Sequence, residues 1–179
     1  EVADNKLILS SQHIGKATAG RYMQRIKDFQ PAYIHAYPTA IYALTMALKF
    51  NGWEMSVSLD CIYCDSEMLY EGQQRTIESY FNCPIRQTYS HTEGALTGIS
   101  LPGRHGIYMM PQVGYTEILD KSGNLITEPG QPGEVVVTGF NNRVFPLVRY
   151  RTGDIGTLGE PIPGDPPYLL LSNINGRVQ

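Results

Sequence analysis

The chain has 179 residues, 42% hydrophobic and 17% charged, with a net charge of −3. That is ordinary globular composition, long enough to bury a real core in one domain or two small ones. The acidic balance argues against a nucleic-acid or anionic-membrane surface, and no apolar run reaches membrane-spanning length. Three cysteines, sparse and odd in number, fit a reducing, cytoplasmic compartment. The chain opens without Met or a signal peptide and stops at Gly176-Arg177-Val178-Gln179, so it reads as a piece of a larger protein.

Ala17, Ala19, Tyr22, Met23, Ile26 and Phe29 form an apolar stripe that predicts a helix over 15–29, stopped by Pro31. The compact run Ala32-Tyr33-Ile34-His35-Ala36 reads as a buried strand. Thr39 is placed to cap a second helix running to about Phe50, which Asn51-Gly52 stops. A strand over 59–63 and a helix from about Tyr70 to Phe81 follow; Asn82-Cys83-Pro84 breaks that helix before a strand containing Ile85. Strands alternating with helices imply a parallel sheet with flanking helices.

Near Pro102-Gly103 the pattern changes to short runs with turns between them: 106–110, 115–119, 133–138, 147–151 and 168–171. Lys121-Ser122-Gly123-Asn124 reads as a hairpin turn, and 160–167, with four prolines, as an exposed loop. The fold class is therefore α/β: a parallel sheet with helices in the first half, then an antiparallel, barrel-like β subdomain. The expected division is 1–101 and 102–179.

Two polar stretches stand out. Tyr89-Ser90-His91-Thr92-Glu93 follows the strand-like Pro84-Ile85-Arg86-Gln87-Thr88, at the end of a sheet strand, where open α/β sheets place ligands. A phenol, a hydroxyl and a carboxylate so close together suit a nucleotide: a flat face, a phosphate donor and an oxygen ligand for Mg²⁺. Tyr150-Arg151-Thr152-Gly153-Asp154 adds a carboxylate able to accept from two ribose hydroxyls. Taken singly, each stretch is also an ordinary polar turn. Cys61-x-x-Cys64, with no second pair beside it, reads as two small apolar residues rather than a metal site.

Together these stretches resemble motifs of the adenylate-forming enzymes. Tyr89 to Glu93 is similar to that family's Tyr-Gly-x-Thr-Glu, and Tyr150 to Asp154 to its Tyr-Arg-Thr-Gly-Asp. Gly133-Glu134-Val135-Val136-Val137 resembles its Gly-Glu-hydrophobic strand, Ser66-Glu67-Met68-Leu69 stands at its adenine loop, and Gly176-Arg177 resembles the Gly-Arg before its interdomain hinge. Ala36-Tyr37-Pro38-Thr39-Ala40-Ile41-Tyr42 and Pro146-Leu147-Val148-Arg149 point to the phenylacetate–CoA ligase and CapK-like branch.

The resemblance implies a fragment of the large N-terminal domain of an ATP-dependent ligase. Such an enzyme joins a small carboxylic acid to AMP and passes the acyl group to coenzyme A. Tyr89, Ser90, His91, Thr92, Ser66, Glu67, Asp154 and Arg177 would bind ATP or AMP. Thr92 and Glu93 would act in catalysis, Glu93 as the Mg²⁺ ligand, while Tyr37, Pro38 and His91 would line the acid pocket. No nucleic acid or membrane partner is implied, and a homodimer is compatible with the reading. No phosphate-gripping Gly-rich loop ending in Lys is present, so this piece by itself is expected to be inactive.

Two departures set expectations. Ser90 stands where the family usually has Gly; if that position needs a positive φ, Ser costs about 1 kcal/mol or more. Gln179 stands where an Asp is usual. Both favour an alternative: a non-catalytic CapK-like relative that keeps the fold as a nucleotide-binding or scaffolding module in polysaccharide biosynthesis.

Overall fold

The structure is a computed structural model that describes residues 2–177, with side chains from Asp4 onward. The chain forms two compact units, Glu1–Arg86 and Gln87–Gln179.

In the first unit, β1 (Val2–Ala3) and β2 (Lys6–Leu7) pair antiparallel ahead of helix α1 (Ala19–Phe29). The helix begins later than its apolar stripe suggests. A local turn occupies the preceding residues: Thr18 Oγ1 donates to His13 O at 2.6 Å and accepts from Gly15 N at 3.0 Å. Ala19, Met23 and Ile26 carry the buried face. The helix stops in Gln30, whose left-handed backbone (φ 51°) lets its N–H reach Ile26 O.

Strand β3 (Tyr33–Ala36) then leads into α2 (Pro38–Phe50). Thr39 is not the cap: Tyr37 is, and Pro38 takes the first helical position, where its missing N–H costs nothing. Ile41, Leu44 and Leu48 are buried, and the buried Thr45 hydroxyl is satisfied by donating to Ile41 O at 2.8 Å. Strand β4 (Cys61–Cys64) pairs parallel with β3, Ile34 opposite Ile62, as the alternating pattern predicts.

Helix α3 (Glu71–Phe81) opens with Tyr70 N donating to Gln73 Oε1 at 3.2 Å, which satisfies the N-cap backbone. Strand β5 (Ile85–Ser90) follows, with Ile62 N donating to Pro84 O at 3.0 Å. Leu48, Ile62 and Ile77, all fully buried, centre this unit's core.

The three thiols are free, Cys61 half-buried and the other two buried. Burial, reinforced by the nearby Asp65 and Glu67 carboxylates, pushes the Cys64 thiol up to about 12; burial likewise pushes Cys83 up to about 11. The thiolate is the nucleophile. At pH 8, iodoacetamide is therefore expected to label Cys61 alone in the folded chain and all three in denaturant. Mass spectrometry showing equal native labelling of Cys64 or Cys83 would contradict this packing. Among the described residues, no group of three or more His, Cys, Asp or Glu side chains is placed to hold a metal ion. No described helix is long and apolar enough to cross a membrane.

The second unit takes the rest of β5 together with β6 (Thr97–Ile99), β7 (Ile107–Met109), β8 (Gly114–Leu119), β9 (Pro132–Gly139), β10 (Tyr150–Leu158) and β11 (Leu170–Arg177). The order is β5-β6-β7-β11-β10-β9-β8, antiparallel throughout. Antiparallel pairing thus begins at Thr88 opposite Ile99, earlier than the change seen near Pro102.

Strand β6 escapes a pattern search because it is short and centred on Gly98. A Cβ there would stand 2.4 Å from Ile107 Cγ2, so only Gly fits. Val135, Val136 and Val137 of β9 are all buried, so this strand is covered on both faces. The expected hairpin turn forms with Asp120 Oδ1 accepting from Ser122 N and Asn124 N, both at 2.8 Å. The proline loop is tethered rather than free: Arg104 Nε donates to both Asp165 oxygens at 2.9 and 2.8 Å, and Tyr108 OH donates to Oδ2.

Candidate functional site

The site of the second unit is built where β5 turns into β6 and where β10 bulges. Tyr89 and Ser90 lie on β5, opposite Gly98 and Thr97. His91, Thr92, Glu93 and Gly94 form a tight turn closed by Gly94 N donating to His91 O at 3.0 Å. The left-handed conformation of the turn falls to Gly94 (φ 69°) and not to Ser90, which is absent from the positive-φ residues. The cost expected of Ser at a Gly position is therefore not incurred here. Nor is Glu93 in the first turn of a helix; its carboxylate is exposed on a turn. The other departure, Gln179, lies outside the described residues.

The second stretch is not an isolated polar turn but the first part of β10. The register slips between Arg151 and Ile155 on the β9 side and between Asp154 and Gly156 on the β11 side. Gly153 supplies the positive φ (76°) of this bulge. Thr152 anchors it, its Oγ1 donating to Val135 O at 2.8 Å while accepting from Asp154 N at 3.0 Å. The bulge thereby takes Asp154 out of register with β9 while it stays paired opposite Arg177 of β11.

Asp154 is where the motifs meet. Its Oδ2 accepts from Tyr89 OH at 2.7 Å, and its Oδ1 pairs with Arg177 Nε at 3.3 Å, Arg177 standing opposite it at the end of β11. Burial, then the bond to Asp154, raise the Tyr89 phenol well above its ordinary value, so at neutral pH it is a donor. A carboxylate has about four lone-pair sites, and two remain on Asp154 for a ligand.

Glu93 has a parallel arrangement. Tyr150 OH donates to its Oε1 at 3.2 Å, and its carboxyl is held below the usual range, first by a backbone N–H of its own turn and then by Tyr150 and the His91 and Arg177 charges. The same bond raises the Tyr150 phenol. His91 lies edge-on to Tyr150, ring centroids 5.8 Å apart. Its Nδ1 is 3.1 Å from Glu93 Oε2 but out of line for a hydrogen bond. Neither ring nitrogen has a hydrogen-bond partner among the described residues although both are buried. Thr92 is exposed on the turn.

Tyr150 and Thr152 do work that the residue types alone do not announce: one holds a carboxylate, the other a bulge. The available signal was their place inside a motif already singled out.

In the first unit, the carboxyl ends of β3 and β4 carry their own polar cluster. His35 Nε2 and Asp65 Oδ2 are 2.8 Å apart. Ser66 holds a left-handed backbone (φ 63°) and donates its hydroxyl to Asp65 Oδ1 at 3.2 Å. Glu67 serves the open start of α2 from outside the helix: its Oε2 accepts from Thr39 N at 3.1 Å and from Thr39 Oγ1 at 2.6 Å, favoured by the helix dipole. Tyr37 is exposed and Pro38 buried at the start of that helix.

A single exposed carboxylate such as Glu93 suits Mg²⁺, which is held by one or two protein oxygens together with substrate phosphates. Asp154, with two free acceptor sites beside an aromatic ring, suits a ribose diol.

No family model matches the chain. It is 29% identical over 159 residues to protein CapK of Staphylococcus aureus, covering 89% of this chain and 34% of that protein. It is 26% identical over 162 residues to phenylacetate–coenzyme A ligase of Pseudomonas putida, covering 88% of this chain and 36% of that protein. The chain thus spans about a third of the length of these relatives. Among solved structures, a 2-hydroxyisobutyryl-CoA ligase holding 2-HIB-AMP and CoA superposes with a TM-score of 0.77 at 21% identity, over 89% of this chain and 36% of that one. An anthranilate CoA ligase holding anthranoyl-AMP superposes with a TM-score of 0.64 at 16% identity, over 91% and 33%. At such identities what is shared is the fold.

Proposed function

For this homologue of CapK and phenylacetate–coenzyme A ligase, built on the fold of the adenylate-forming ligases, we propose the adenylate-binding half of an acid–thiol ligase. The full-length protein would activate a small carboxylic acid with ATP. An oxygen of the acid attacks the α-phosphorus, the bond to pyrophosphate breaks, and pyrophosphate leaves with the electron pair. A thiol, coenzyme A by kinship with the relatives, then attacks the carbonyl carbon and AMP leaves.

The observation that carries this reading is Asp154. One carboxylate gathers the Tyr89 phenol and the Arg177 guanidinium from motifs far apart in the chain, and keeps two acceptor sites for a diol. Here Tyr89 would give its ring face to adenine, Asp154 and Arg177 would hold the ribose, and Thr92 would donate to a phosphate. Glu93 would hold Mg²⁺, which when bound supplies charge neutralisation on the phosphates. Ser90 and His91 would serve the nucleotide. The division of labour is positional: these groups align two anions and spread charge off phosphorus rather than react themselves.

The test is exchange of labelled pyrophosphate into ATP, with a panel of small aromatic and aliphatic acids. The full-length protein is expected to exchange with at least one acid, and the 179-residue chain to show none. ATP binding by the full-length protein without exchange for any acid would instead favour a nucleotide-binding or scaffolding module. Exchange by the short chain at the full rate would misplace the site.

A further inference from the structure

The two motifs do more than lie close together; they exchange partners. The phenol of the first, Tyr89, is bonded to the carboxylate of the second, Asp154, across 65 residues of sequence. The phenol of the second, Tyr150, is bonded to the carboxylate of the first, Glu93, across 57 residues. Resting on the nucleotide reading above, we propose that Tyr89 and Tyr150 are positioning residues that cross-brace the site. Tyr89 aims Asp154 at the ribose diol and Tyr150 aims Glu93 at the phosphate end.

The chemistry favours a brace over incidental contact. Both phenols are half-buried on strands, so their rings are fixed while the carboxylates they hold sit on a bulge and a turn, where backbone alone would leave them loose. Each phenol takes one lone pair of its carboxylate and leaves the ligand-facing ones free. The His91 ring, edge-on to Tyr150, restricts that phenol further. The bond at 2.7 Å has ordinary O–H···O length, and its charged acceptor makes it stronger than a neutral pair. The arrangement also couples the two ends of the site, because each strand that presents one ligand-binding carboxylate also orients the other.

The experiment measures binding, not turnover, on full-length protein by calorimetry with ATP in Mg²⁺, 2′,3′-dideoxy-ATP in Mg²⁺, and AMP. Tyr89→Phe keeps the ring and removes only the hydroxyl. It is expected to weaken ATP and AMP about tenfold and leave dideoxy-ATP unchanged, the size of one charge-assisted bond's orientation. Tyr150→Phe is expected to weaken ATP about tenfold relative to AMP, without altering the preference for ribose hydroxyls. In an Asp154→Ala background, Tyr89→Phe should change no ratio further. A uniform loss across all three nucleotides, or no loss, in a wild type that does prefer ATP over its dideoxy analogue would overturn the brace alone. A wild type that binds ATP and dideoxy-ATP equally would overturn the ribose assignment, and the brace with it.

Discussion

Replacing Asp154 with Ala is expected to abolish useful nucleotide binding by the full-length protein while leaving it folded. Two charge-assisted hydrogen bonds to ribose are at stake, each worth about 1.5–3 kcal/mol, so affinity for ATP and AMP should fall roughly 10²- to 10⁴-fold. The apo protein should not be wholly indifferent. Asp154 is also the acceptor for a half-buried phenol, and Tyr89 would lose its partner. That omission costs about 1–2 kcal/mol, or about 4–16 °C in melting temperature for a unit of this size. The two effects separate in the Tyr89→Phe background, where no hydroxyl is stranded. There, Asp154→Ala should still cost affinity but lower the apo melting temperature by less. Calorimetry and thermal melts on the four proteins read both quantities. Unchanged nucleotide affinity in Asp154→Ala would remove the ribose assignment and weaken the ligase reading; a stability loss of equal size in both backgrounds would mean that Asp154 serves its own bulge rather than Tyr89.

What the amino-acid order shows of this molecule, and what it hides, follows from the range of the forces involved. Helix faces were legible because burial repeats locally: Ile41, Leu44 and Leu48 lie on one side of α2, and Ile77 and Phe81 on one side of α3. Helix ends were less so. The capping of α2 looks from the sequence like the work of Thr39, yet the acceptor is Glu67, brought from the far end of β4 by parallel pairing. No local rule reaches across that distance. The same residue, read by resemblance as lining adenine, is in the fold partly committed to a helix terminus.

Strand β6 and the long reach of β10 were hidden for the opposite reason. Gly98 and Gly153 erase the apolar alternation at the points where close packing and a bulge demand glycine. Ser90 shows the converse. Its residue type suggested strain, but the turn passes the left-handed position to Gly94, so the substitution is tolerated by the backbone. In the site, the acceptors were legible as motif carboxylates. The donors that orient them, Tyr150 and Thr152, were not, because their roles exist only once β9, β10 and the turn after β5 are assembled.

That assembly is why the second large effect is expected far from any ligand. Leu171, on β11 between β7 and β10, is fully buried in the core of the second unit, and the space over Gly156 is filled by its methyls. Leu171→Ala removes that filling and leaves a cavity that rigid strands on both sides cannot close. Such substitutions cost about 2–5 kcal/mol, and for a unit of this size each kcal/mol lowers the melting temperature by about 4–8 °C. A fall of at least about 10 °C is therefore expected, with nucleotide affinity lost only as the fold is lost. Val144→Ala is the control: Val144 is 96% exposed, and its truncation should shift stability by no more than about 0.5 kcal/mol. The site depends on the same strand, since Leu171 lies near the start of β11 and Arg177 ends it, and Arg177 meets Asp154 only if β11 stays in register with β10. Equal melting temperatures for Leu171→Ala and Val144→Ala would show that β11 is not a core strand, and the placement of Arg177 beside Asp154 would lose its support.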